Sequence, residues 1–210
     1  MTIFDLVFIA SFFTSIVLLI RIFWKLFRRN LQEARRAVIK LVIFWVLYTG
    51  ALIAVSLSTP QRVLAMREDL CFDDWCLAVD DCSSAHNSSL DRYVVGLRVS
   101  SRAGRVSQRA PDASVYLTDE RGTKFYPSPD GQRAYEALHG ESKALSDLLK
   151  PYESFSTVRV FDLPPESKDV GLVVVHGQGP GWFIIGDSQS LFHKRTITRL
   201  KCTKESGLSR

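Results

Sequence analysis

From Leu6 to Ile20 the chain reads LVFIASFFTSIVLLI, without a charge. Ile22, Phe23 and Trp24 carry the run past Arg21, so Phe4 to Trp24 is long enough to cross a hydrocarbon core, which needs about 20 residues. A second such run, LVIFWVLYTGALIAVSL, extends from Leu41 to Leu57. Both are apolar on every side, which suits lipid better than a core facing one way. Trp24, Trp45 and Tyr48 are placed as interfacial anchors. Gly50 with Ala54, and Ser11 with Ser15, have the small-residue spacing that lets helices approach closely, and packing of the two runs on each other accounts for it.

After Thr59 and Pro60 the period changes from helix to strand. Tyr93, Val95, Leu97 and Val99 alternate with smaller or polar neighbours. Strands are predicted at Trp75–Val79 (the first), Tyr93–Val99, Ser114–Thr118, Thr123–Tyr126, Ser156–Leu163, Val170–Val175, Trp182–Ile185 and Thr196–Leu200 (the last). Asp119–Gly122 and Gly177–Gly181 are the clearest turns. Only Arg133–Leu149 has helical character. The fold class expected is an all-β, immunoglobulin-like sandwich of about seven or eight strands, preceded by a two-helix transmembrane hairpin. The boundaries expected are a hairpin over 1–59, a connector over 60–70, a β-sandwich over 71–202 and a flexible tail over 203–210.

Charge adds direction. Seven basic residues (Arg21, Lys25, Arg28, Arg29, Arg35, Arg36 and Lys40) and two acidic ones (Asp5 and Glu33) precede Ser58, and the remainder holds 20 of each sign. The net charge of +5 therefore belongs to the N-terminal region, and nucleic acid is not an expected partner of the β-patterned part. Basic residues in and beside the short connection place it in the cytoplasm by the positive-inside rule. Everything after Ser58 is then extracytoplasmic, and the bilayer is an expected partner. The first run lacks a basic start and a small-residue cleavage site, so a retained span is expected rather than a signal peptide. Lys25 to Arg36 could form a short amphipathic helix on anionic lipid, but a topology signal alone accounts for the charge.

The residues Val95–Ser100, Leu117-x-Asp119-x-x-Gly122-x-x-Phe125-Tyr126, Leu149-x-Pro151-x-Glu153 and Val160-Phe161-x-x-Pro164, followed by Leu172, resemble the telokin-like family of bacterial extracytoplasmic domains. The resemblance runs from about Trp75 to Leu200 and implies an immunoglobulin-like sandwich with no catalytic residues to carry over. Where that family has glycine between the proline and the glutamate, this chain has Tyr152.

All four cysteines, Cys71, Cys76, Cys82 and Cys202, follow the second run, as expected for disulfides on an oxidising side. Three pairings are possible. Bringing the domain ends together would pair Cys82 with Cys202 and leave Cys71 with Cys76. Zinc fits the spacing poorly, and a redox pair would have two residues between its cysteines. The acidic doublets Glu68-Asp69, Asp73-Asp74 and Asp80-Asp81 lack the order of a calcium loop and read as a solvated edge. His86, His139, His176 and His193 have no ligand at metal spacing, though His176 and His193 could meet. Asn87-Ser-Ser89 is a glycosylation sequon. No nucleophile elbow or phosphate loop in the right context is present, so no enzyme, cofactor or metal is expected. The function expected is a protein-interaction or structural module of the cell envelope that contacts another envelope protein. A ligand sensor, a metal sensor or a redox protein using Cys71 and Cys76 is the alternative.

Overall fold

The structure, a computed structural model, describes residues 3–86, 89–176, 183–185, 190 and 192–204. It divides into two compact units, one of residues 1–61 with 179–195, the other of residues 62–178 with 196–210. The expected Asn87–Ser89 sequon, the Gly177–Gly181 turn and most of the tail lie outside the described residues.

In the first unit, α1 (Ile3–Phe27) and α2 (Leu31–Ser58) form a helical hairpin. Both are long and apolar enough to cross a membrane. The link is only Arg28 to Asn30. Asn30 N–H donates to the Lys25 carbonyl at 3.0 Å, and Arg29 has a φ of 55°, the left-handed closure that ends a helix. The Asn30 side chain then caps α2. Lys25 to Arg36 is therefore no separate amphipathic helix: the chain reverses within it. Ser11 and Ser15 on α1 are buried, as are Ala34, Tyr48, Leu52 and Ser56 on α2. Gly50 and Ala54 are not: both are exposed, and a side-chain carbon on Gly50 would meet nothing within 4 Å. Their small-residue face is turned away from α1, because α2 uses its Ala34–Tyr48–Leu52 stripe for packing.

Phe183 to Ile185 belongs to this unit and forms no strand, contrary to the expectation. Ile185 packs with Tyr48 and Leu52. The Tyr48 hydroxyl donates to the Phe183 carbonyl at 2.6 Å, and the Ser56 and Ser190 hydroxyls lie 3.1 Å apart. Of the apolar run that suggested a strand, Ile185 is buried against helix α2 and Phe183 stays exposed.

The second unit is a β-sandwich with ten described strands and one helix. The strands are β1 (Val63–Leu64), β2 (Leu70–Phe72), β3 (Trp75–His86), β4 (Asp91–Ser101), β5 (Ser114–Thr118), β6 (Lys124–Phe125), β7 (Ser154–Leu163), β8 (Gly171–Val175), β9 (Ile197–Arg199) and β10 (Thr203–Lys204). One sheet has the order β1-β9-β8-β5-β6, the other β10-β3-β4-β7 with β2 on β3. The chain makes the β3–β4 hairpin, crosses for β5 and β6, returns for β7 beside β4, and crosses again for β8 beside β5 and β9 beside β8. Val79, Val95, Leu97, Val99, Leu117, Phe161 and Leu172 meet in the core between the sheets.

β1, β2 and β10, of two or three residues each, were not expected as strands, whereas β6 falls within the expected Thr123–Tyr126. β1 falls in the expected connector and β10 in the expected tail. α3 (Pro129–His139) starts earlier than expected, at the Ser128 cap. It covers the edge of β7: Gln132 donates to the Val158 carbonyl and accepts from Val160 N–H, and Ser128 N–H donates to the Val160 carbonyl. The other sheet edges are very short. Both devices keep strand edges from pairing with other chains.

Candidate functional site

β3 and β4 set the geometry of the cysteines. Their register shifts between Val79 and Asp81. A bulge of this kind exchanges the faces of the strand beyond it. Leu77 and Val79 face the core before it, and Cys82, opposite Val95, faces the core after it. Cys82 is thereby aimed at the C-terminal strand and joined to Cys202. Cys71 and Cys76 are direct partners across the β2–β3 hairpin and form the other disulfide, with Cα atoms 4.0 Å apart. No cysteine is free, so no described thiol stands ready as a nucleophile or metal ligand.

The acidic doublets are largely matched by arginines. Arg98 Nε lies 3.1 Å from Asp80 and Arg98 Nη2 lies 3.4 Å from Asp69, which Arg102 reaches at 3.1 Å. Asp74 accepts from Gln108 Nε2 at 3.3 Å. Among the described residues no group of three or more histidines, cysteines and carboxylates could hold a metal.

Three of the histidines have partners within their own unit. His86 pairs with Asp91, and His139 stacks on Tyr135 with ring centroids 4.2 Å apart. His176 and His193 fall in different units. His176 Nδ1 lies 2.8 Å from Asp112, and its ring is packed against Trp75 and Phe72 at 5.1 and 5.6 Å. This is an imidazole–carboxylate pair against an aromatic wall at the tip of the Cys71–Cys76 hairpin. Trp75 is buried and its Nε1 has no hydrogen-bond partner among the described residues.

The most distinctive polar group is Arg159 on β7. Strand residues two apart share a face, so Arg159 points the same way as Phe161 and Leu163, which are core residues. Its cross-strand partner is Val95, also in the core. A guanidinium thus occupies a core-facing position. It is half-buried and held by carbonyls and a hydroxyl. Nη1 donates to Thr157 Oγ1 at 2.9 Å and to the Val158 carbonyl at 2.6 Å, and Nη2 donates to the Lys143 carbonyl at 3.0 Å. Among the described residues no carboxylate lies within ion-pair distance of it. Burial is the main influence on its pKa and pulls it below the usual value, against the more distant charges of Glu136 and Asp147.

Arg159 lines an open groove of about 270 Å³ beside Val115, Leu145, Ser114, Ser146 and Tyr126. Five donors in a fixed fork, of which three are used by the protein, leave two N–H groups for an acceptor. A neutral residue would fill this position at less desolvation cost. The sequence reading missed Arg159, although the signal was there: in the alternating run Ser156–Leu163 it shares the parity of Phe161 and Leu163.

No family model matches the chain, and no curated protein matches it. Three solved structures are similar in outline. A conserved hypothetical protein from Bacillus anthracis is 18% identical over 54% of this chain and 89% of its own, with a TM-score of 0.41. An uncharacterized β-sandwich protein from Clostridium difficile 630 is 8% identical over 69% of this chain and 97% of its own, with a TM-score of 0.41. A secreted protein from Mycobacterium tuberculosis, MPT63, is 11% identical over 68% of this chain and 99% of its own, with a TM-score of 0.40.

Proposed function

We propose that this chain is an integral membrane protein whose β-sandwich, held on the extracytoplasmic side, is a binding module that takes a carboxylate side chain of a partner envelope protein into the Arg159 groove. Apolar residues exposed all round the hairpin, among them Phe12, Phe13, Phe23, Val46 and Leu47, support the membrane span. The basic link supports its orientation, and the two disulfides support an oxidising compartment for the sandwich. The strand order supports an immunoglobulin-like reading: β3-β4-β7 follows the A-B-E sheet of that fold, and β9-β8-β5 follows G-F-C. The telokin-like resemblance belongs with this reading. Binding rather than catalysis is the role proposed, since every cysteine is oxidised and the His176–Asp112 pair is packed against aromatic rings.

The observation that carries the proposal is Arg159. A guanidinium turned toward the core, with no carboxylate at ion-pair distance among the described residues, is matched best by a carboxylate from outside, which can take both spare N–H groups. The test uses the full chain in nanodiscs and an array of peptides with a central glutamate or glutamine. Wild type should retain glutamate peptides over their glutamine counterparts. Arg159→Gln should lose that preference, and so should Ser114→Asp, which places a competing carboxylate at the groove while leaving Arg159 in place. Unchanged preference in a folded Arg159→Gln protein would overturn the proposal.

A further inference from the structure

Near its turn the helical hairpin encloses a cleft of about 310 Å³ between α1 and α2. Arg21 and Lys25 of α1 and Arg36 and Lys40 of α2 line it, with Glu33 as its one acidic residue. Each basic pair has the four-residue spacing that puts both side chains on one helix face. Glu33 is paired with Lys25. Among the described residues no carboxylate lies within ion-pair distance of Arg21, Arg36 or Lys40. The positive-inside rule asks only that basic residues flank a span. It does not ask that four of them converge on one cleft, where like charges repel.

We propose that this cleft is a binding site for the phosphate headgroup of an anionic glycerophospholipid. The inference rests on the membrane reading above. Two guanidiniums from facing helices can each hold a phosphate through paired N–H donors, and Lys40 adds a point charge. Arg21 precedes Arg28 by seven residues, so the cleft begins about 10 Å from the turn along α1, a depth that suits a headgroup. Leu18 closes the cleft toward the span, and Leu19 and Ile20 beside it are exposed, which gives the acyl chains an apolar surface to follow. This continuity with lipid-facing surface favours a lipid over free phosphate as the source of the anion.

The test is lipid retention by the full chain, extracted gently from membranes of phosphatidylcholine mixed with phosphatidylglycerol and read by native mass spectrometry. Wild type should retain phosphatidylglycerol, one per chain, with a preference of at least about tenfold. Arg21→Gln/Arg36→Gln should abolish that preference. Arg28→Gln/Arg29→Gln removes the same charge outside the cleft and should keep it. Equal loss in both double variants would mean diffuse attraction and overturn the site. Displacement of the lipid by millimolar inorganic phosphate would show a free-phosphate site and overturn the lipid assignment. A chain recovered outside the membrane fraction would refute the membrane reading and the site with it. A membrane-inserted chain without lipid preference would refute the site alone.

Discussion

Asp162 stands where β7 meets α3. Arg92 Nε donates to it at 2.8 Å, and Ser128, while capping α3, donates its hydroxyl at 2.6 Å. The hydrogen bond from Arg92 comes first, and together with the bond from Ser128 it holds the carboxyl below its ordinary value. A carboxylate depressed in the folded state adds stability above its unfolded pKa of about 3.9, and loses it as pH falls through the folded value. Asp162→Asn should therefore lower unfolding free energy by about 1 kcal/mol at neutral pH, a modest figure because Arg92 is half exposed. The gap to wild type should close as the solution is acidified through the carboxylate range. Denaturant unfolding across pH checks this, and a gap that does not change with pH would contradict it. Tyr152 has a φ of 58°, a region glycine enters freely and other residues at a cost of about 1 kcal/mol. Tyr152→Gly should leave the melting temperature unchanged or raise it, and Tyr152→Val should lower it, since a branched side chain is worst there. In the sequence Tyr152 stands out only as a departure from the glycine of the telokin-like pattern, a reason to expect a different turn, whereas it takes the left-handed conformation that a glycine would. Arg159 was not singled out, because its parity becomes meaningful only once Phe161 and Leu163 are known to face the core.

At the scale of elements, the disulfides and the bulge act together. Cys82 reaches Cys202 because the bulge near Asp80 turns Cys82 inward, and the pair closes a separation of 120 residues. The chain-entropy model gives such a loop about 5 kcal/mol, and gives the five-residue separation of Cys71 and Cys76 about 2. Cys202→Ser should thus lower the melting temperature more than Cys71→Ser. Cys82→Ser/Cys202→Ser should cost little more than either single change, because the pair acts as a unit. Thermal melts of the oxidised proteins check both, and the reverse order would contradict the account. The long strands β4 and β7 and the helices were legible because each holds a period over many residues. β1, β2 and β10 were not, since two or three residues cannot display one; β6, equally short, was legible from the Asp119–Gly122 turn before it. Phe183–Ile185 misled for a different reason: a short apolar run has no period to tell a strand from a segment packed on a helix.

At the scale of the whole molecule, charge and hydropathy separate along the chain. The basic excess, the two apolar helices and every cysteine fall in an order that suits one topology: both helices across a membrane, their link in the cytoplasm, the sandwich outside. That order is visible in the sequence alone. The convergence of Arg21, Lys25, Arg36 and Lys40 was not, because it depends on how α1 and α2 face each other. The most direct test is cysteine accessibility in intact cells with a membrane-impermeant thiol reagent. Leu31→Cys reports on the start of α2 beside the link, and Leu138→Cys on an α3 position that is 82% exposed. The native cysteines are all held in disulfides. The expected result is labelling of Leu138→Cys alone, with Leu31→Cys reacting only after the cells are opened. Labelling of Leu31→Cys in intact cells, with Leu138→Cys protected, would contradict the account.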